Sequence, residues 1–301
     1  MTQLNNGTYY LGRVIKSGML THEKLIESIL NPKPITAKGF AWSFIDAQPK
    51  YFNDVDFIYA KLCKYSPDAE VLVVDPEKGR EIRQEEPNLS IASSPFIYLP
   101  EFSGIAFLSV SNQIEPKTFM KRFAALIKNK YDSFFVDCKV EPVSDLRSFA
   151  IKLSKLESIF NISASISPPN PLFGPLWEDL KEYLEKRRTN RMKIQEESFG
   201  GDTISTNLPA LVKRTSEETP DEPFIPQKVD IGDAAILMAA DGYGTGYVKG
   251  RQKGETIVIK TSETIKNFSF LKEAKPDDLC IKVYEIFKRI KQDRHMKHNE
   301  K

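Results

Sequence analysis

Apolar and polar positions divide residues 94–130 into three elements. Phe96, Ile97, Tyr98 and Leu99, then Ile105, Phe107, Leu108 and Val110, are β-rich runs separated by a turn over 101–104. Pro116 then suits the first position of a helix whose Phe119, Met120, Phe123, Ala124 and Ile127 recur on one face, with Lys117, Lys121, Arg122 and Lys128 around the other. A hairpin followed by an amphipathic helix builds a core, so this stretch is scaffold.

The same periodicities order the rest of the chain. Strands are predicted over 8–15, 40–45, 55–65 and 70–75, with a helix between the first two in which Thr21 is the cap and Leu25, Ile26, Ile29 and Leu30 form the apolar stripe. The charged segment 76–88 reads as a solvent-side loop. Further strands are expected within 131–143, over 159–166 and in MKIQEESF, and helices over 143–158 and 170–188. From 213 to 227 the composition turns to Thr, Ser, Glu, Asp and Pro, which predicts a linker or long surface loop. Beyond it, 231–240 is apolar nearly all round and therefore buried. A hairpin follows, with strands at 246–249 and 256–260 and the basic turn GRQKG, and a helix from Pro276 closes the chain. The expected architecture is α+β: a mostly antiparallel sheet with packed helices in a main domain, 1–212, then a linker, 213–228, and a smaller C-terminal α+β region, 229–301.

Composition changes this picture little. With 301 residues, 41% hydrophobic and 28% charged, the chain can bury one large core or two modest ones. A net charge of +2 is too balanced to mark a nucleic-acid binder by itself, so only local clustering of charge bears on that function. Cys63, Cys138 and Cys280 are odd in number, far apart and set in apolar patterns, which predicts reduced thiols in a cytoplasmic protein. No signal peptide and no membrane-spanning run is recognised.

Candidate chemistry is sparse. Gly242, Gly244, Gly246 and Gly250 lead into a strand, whereas a phosphate-cradling glycine loop opens a helix, so they read as turn and strand glycines. Asp137 and Lys139 on one strand, with Asp132 as a conceivable partner, are the residue types of a metal-dependent nuclease and equally of a solvent-facing strand edge. His22, His295 and His298 are the only histidines, and no serine sits in a nucleophile elbow. The expectation is therefore no catalytic residue, no metal and no cofactor, with the Asp137 and Lys139 nuclease as the alternative and a protein-interaction subunit as a third reading.

Basic clusters remain: Lys186, Arg187, Arg188, Arg191 and Lys193; Lys249, Arg251 and Lys253; Lys288, Arg289, Lys291, Arg294 and Lys297. Cations at helix C-termini complement the macrodipole, which accounts for part of the first and third clusters. Each nevertheless holds more charge than capping requires, and brought together they would bind phosphate. Lys186, Arg187, Arg188, Arg191, Lys249, Arg251, Lys253, Lys288, Arg289, Lys291 and Arg294 are the candidate DNA-binding residues.

The segments SPFIYLPEFSGIAF, VEPV and NISASI resemble the RexA-like phage-exclusion family, as do NPLFGPLWEDLKEYL (170–184) and ADGYGTGYVKG (240–250). The resemblance extends in pattern from about residue 8 to about residue 290. It implies a bacterial or prophage defence protein, a homodimer that binds double-stranded DNA with little sequence preference and signals to a separate effector. It carries over no catalytic residue.

Overall fold

The computed structural model describes residues 5–131, 135–167, 186–187, 189, 191–199, 202–216 and 229–294. In chain order the strands are β1 (Asn6–Gly18), β2 (Ile35–Ala37), β3 (Phe40–Phe52), β4 (Val55–Asp75), β5 (Arg80–Leu99), β6 (Gly104–Leu108), β7 (Val136–Pro142), β8 (Ser158–Ile166), β9 (Met192–Glu197), β10 (Gly244–Gln252), β11 (Glu255–Lys260) and β12 (Asn267–Leu271). The helices are α1 (His22–Leu30), α2 (Pro116–Lys130), α3 (Leu146–Leu153), α4 (Leu208–Ser216), α5 (Ile231–Met238) and α6 (Pro276–Arg294). The fold is α+β, with two sheets. The larger has the order β12-β1-β6-β5-β4-β3-β2, with β7 on the far half of β1, and the smaller has the order β11-β10-β8-β9. Each of these strand pairs is antiparallel.

Both faces of the larger sheet are covered, and that is why residues 94–99 form an unbroken buried run. Phe96 and Tyr98 point into a core with Phe44, Phe107, Phe119 and Phe123 beneath α1 and α2. Ile97 and Leu99 point the other way, to Leu279, Val283 and Phe287 of α6. A strand buried on both sides loses its polar alternation. The 94–130 unit forms as its pattern predicts: Pro116 opens α2, and the rings of Phe107 and Phe119 stack with centroids 4.0 Å apart. At Gly104 a Cβ would stand 2.6 Å from the Phe287 ring, so this approach of α6 requires glycine. Thr21 caps α1, accepting from the Lys24 amide, and Asp145 caps α3.

The smaller sheet has α3, α4 and α5 on one face, with Ile162, Ala164, Ile166, Val248, Ile194 and Ile259 turned towards them. The link between the sheets is the segment after β7. Val143 N–H donates to the Leu11 carbonyl, Ser144 N–H to the Ala240 carbonyl at 2.7 Å, and Asp145 N–H to the Thr264 carbonyl at 2.8 Å. Ser144 Oγ also donates to the Thr261 carbonyl.

Several expectations are corrected. The strands do not separate at 213–228: from the C-terminal side, β12 joins the larger sheet beside β1 and α6 packs on it, while β10 pairs with β8 and carries β11 on its other edge. Composition marks a loop but not which side of it a strand pairs with. Of the expected loop 76–88 only 76–79 is a turn, because β4 and β5 continue as a two-stranded ribbon paired as far as Asp75 and Arg80. Beyond Tyr65 and Ala92 neither strand has a second neighbour among the described residues, so both ribbon faces are wet and the charged 80–88 limb lacks the apolar signal of a strand. Segments 55–65 and 70–75 are accordingly one strand. Helix α4 occupies part of the supposed linker, burying Leu208, Leu211, Val212 and Thr215. The helix expected over 170–188 lies almost wholly outside the described residues.

Candidate nucleic-acid interface

The face of the smaller sheet opposite α5 has no helix on it among the described residues, and two of the basic clusters meet there. Gly246, Val248 and Gly250 of β10 are buried toward α5, so Tyr247, Lys249 and Arg251 alternate onto the open face. The strand register then fixes their neighbours. Tyr247 stands opposite Lys260 of β11 and Ser163 of β8, and Lys249 opposite Val258 and Asn161. On β9, Lys193 pairs with Ser165 and Glu197 with Asn161. Arg191 lies at the end of the same face, where its Nε donates to Ser165 Oγ at 2.7 Å. The Lys249 ammonium sits 5.5 Å from the Tyr247 ring centre. Among the described residues, the strand register thus puts Arg191, Lys193, Lys249, Arg251 and Lys260 on one face together with Glu197, while Glu141 lies within electrostatic reach of Arg191 and Glu263 of Lys260.

The local sequence explains the arrangement. Lys253 and Gly254 both have positive φ, 50° and 79°, the backbone of a tight two-residue hairpin turn, and the Lys253 amide donates to Glu157 Oε1. This turn holds β10 against β11 so that Lys249 and Arg251 project from alternate positions of a fixed strand. Asn161 lies beneath them, 1% exposed, with neither side-chain polar atom hydrogen-bonded. Gly244, Gly246 and Gly250 are strand glycines of β10, and Gly242 is a turn glycine with φ 86°.

The remaining candidates are dispersed. Lys186 and Arg187 are exposed ahead of β9, Lys253 occupies the hairpin turn, and Lys288 is exposed on α6. Lys291 is 3.3 Å from Glu101 Oε1, an ion pair on the larger sheet's side of the molecule. Arg289 lines a cleft between α3, α4 and α6. Arg188 and the side chain of Arg294 lie outside the described residues. The α6 cluster therefore does not join the β10 cluster on the open face. Lys260 was not among the candidates, although alternation along β11 and its register with Tyr247 place it there.

Asp137 and Lys139 occupy alternate positions along β7 with Glu141, the acidic group that Lys139 acts on. Asp137 is held 3.2 Å from Lys128, and Lys139 lies opposite Ile15 on β1, while Asp132 lies outside the described residues. Among the described residues no three His, Cys, Asp or Glu side chains converge on a metal-sized space. Glu141, on the same side of β7, has its carboxyl pushed up by burial, against the opposing pull of Lys139 and Arg191. The three cysteines are buried free thiols; burial pushes Cys138 and Cys280 up to about 12, so neither is a ready nucleophile. Burial is also the main reason that His22 is lowered from its ordinary value. Among the described residues no helix is long and apolar enough to cross a membrane.

These features define a class, an α+β protein with a basic sheet face on which no helix lies among the described residues. Residues 23–290 match the family described as Domain of unknown function (DUF4747), and the chain belongs to that family. No curated protein matches it.

Proposed function

We propose that the protein binds double-stranded DNA with little sequence preference, laying the open face of the smaller sheet against the phosphate backbone. The observation that supports this reading is the basic character of that face among the described residues, with Arg191, Lys193, Lys249, Arg251 and Lys260 set on a four-stranded platform. Cations fixed on strands contact phosphates without reading bases, and affinity arises from released counterions. The phage-exclusion setting, with its separate effector, rests on the resemblance alone. A homodimer is part of the proposal: both faces of the larger sheet are covered, but the β4–β5 ribbon has two unpaired edges and exposes Leu72 and Val74. Such edges pair with a second copy.

The test is fluorescence anisotropy with unrelated short duplexes at several salt concentrations, and a plasmid incubation with and without magnesium. Salt-sensitive, sequence-independent binding without cleavage is expected. Sequence-selective binding, or none at low salt, overturns the reading.

A further inference from the structure

A second basic surface lies away from the sheet face, in a cleft of about 920 Å³ enclosed by α3, α4, α6 and the approach to β12. Arg147 enters it from α3, Lys213 from α4, Lys266 from the approach to β12, and Lys282 and Arg289 from α6. Among the described residues one carboxylate, Asp145, lines the cleft, and it is occupied as the cap of α3, accepting from Arg147 N, Ser148 N and Ser148 Oγ. Arg147, Lys213, Lys266 and Lys282 have no carboxylate within ion-pair distance among the described residues. Cations converging from four elements on one concave surface repel one another, and a bound polyanion offsets that cost.

The rest of the lining narrows the class of ligand. Ile151, Phe268 and Ile286 give the cleft an apolar wall beside the cations. Its hydroxyls are committed inward: Ser154 Oγ donates to the Ile151 carbonyl, Thr215 Oγ1 to that of Leu211 and Ser216 Oγ to that of Lys213. Recognition therefore falls to charge and apolar contact. The volume is within the range of roughly 300–1,000 Å³ typical of small-molecule sites, and a concave site of that size suits a compact ligand better than a duplex.

From these observations we infer that the cleft between α3, α4 and α6 is a binding site for a nucleoside polyphosphate, its phosphates on Arg147, Lys213, Lys266 and Lys282 and its base on the apolar wall. This site is independent of the proposed DNA interface. Its walls come from both sheet units, so an occupant touches the helices of each.

Calorimetric titration of the full chain with ATP, ADP, adenosine and inorganic triphosphate tests this. ATP should bind in the micromolar range, ADP more weakly, triphosphate more weakly than ATP, and adenosine not measurably. Lys266→Ala with Lys282→Ala should weaken ATP at least tenfold while leaving the melting temperature and the duplex affinity unchanged. Lys213→Ala, on another helix, gives an independent reading if the double variant fails to fold. Absence of ATP binding at millimolar concentration, or undiminished binding in both variants, overturns the site. Triphosphate binding as tightly as ATP overturns the nucleoside assignment.

Discussion

Arg13 Nε donates to the backbone carbonyl of Asp241 at 2.7 Å, which ties β1 of the larger sheet to the tight turn between α5 and β10. The same guanidinium donates through Nη1 to the Phe102 carbonyl at 2.6 Å and lies over the rings of Tyr243 and Phe287 at 4.5 and 5.4 Å. Arg13 is 5% exposed, so one buried side chain joins the 3₁₀ turn before β6, helix α6 and the smaller sheet. Gly242 completes the joint: its φ is 86°, and a Cβ there would stand 3.1 Å from Arg13 Cγ.

Arg13→Ala would strip two buried carbonyls of their donor and open a cavity beside two aromatic rings. A loss of about 3 kcal/mol is expected, seen as a fall in melting temperature of roughly 5–10 °C. Arg13→Lys keeps the charge but not the fork of donors, and should fall between the two. Melting curves that superimpose for Arg13→Ala and the parent chain would show that the joint contributes nothing.

Asp233 supplies a pH prediction. It is 2% exposed in α5, accepts from Thr206 Oγ1 at 2.6 Å, and has Asp230 and Glu196 nearby. Burial, reinforced by the two carboxylates, pushes its carboxyl up to about 6 from an ordinary value of 3.8. The folded chain thus holds a proton that the unfolded chain has released, and this group's contribution to stability is complete below about 4 and lost as pH rises through about 6. Asp233→Asn should remove that slope and raise the melting temperature at pH 7.5 by a few degrees, with little change at pH 4. A variant that melts lower than the parent at pH 7.5 would contradict this.

The joint and the buried acid show where reading the sequence stops. Elements that pack on one side or both were legible, because their apolar spacing is the record of that packing: 94–130 and the hairpin around Lys253 are cases. The β4–β5 ribbon was legible only at 70–75, where Val71 to Val74 are β-rich; its charged limb over 80–88, wet on both faces, has no such record. Strand β12 was missed because it is only five residues long; Phe268 and Phe270 find their packing beside Tyr9 and the α6 core once β12 pairs with β1. Of the open face, Lys249 and Arg251 were visible as a cluster, whereas Lys260 joins them only through register. The cleft was invisible, because Arg147, Lys213, Lys266 and Lys282 are far apart in sequence.

The ribbon yields a prediction about assembly. Residues 66–91 carry seven carboxylates and three cations, and a two-stranded ribbon of this length is at best marginally stable without a covering surface. Replacing 67–88 by Asn-Gly would join Ser66 to Leu89, which already face each other. Light scattering should return twice 34.3 kDa for the full chain and a single shortened protomer for the variant, with the body still folded by circular dichroism. A full chain that is monomeric at micromolar concentration, or a variant that stays dimeric, removes the ribbon from the interface.

The last prediction separates the open face from the α6 cations. Lys249→Ala, Arg251→Ala and Lys260→Ala together remove three charges from alternate positions of two paired strands, all on the side away from α5. If this face holds the duplex backbone, affinity should fall on every sequence alike, and the log-log dependence on salt should flatten by about one unit for each cation that no longer meets a phosphate. Lys288→Ala with Lys291→Ala is the comparison. Lys291 is already engaged with Glu101, and an exposed ion pair contributes at most about 1 kcal/mol, so these changes should cost little stability and leave the salt slope intact. The reverse outcome, with binding lost in the α6 pair and retained in the β10–β11 triple, would move the interface to the larger sheet. Equal, small effects from both sets would leave the open face with no claim on DNA, since five clustered cations that bound phosphate would lose most of their counterion release when three of them are removed.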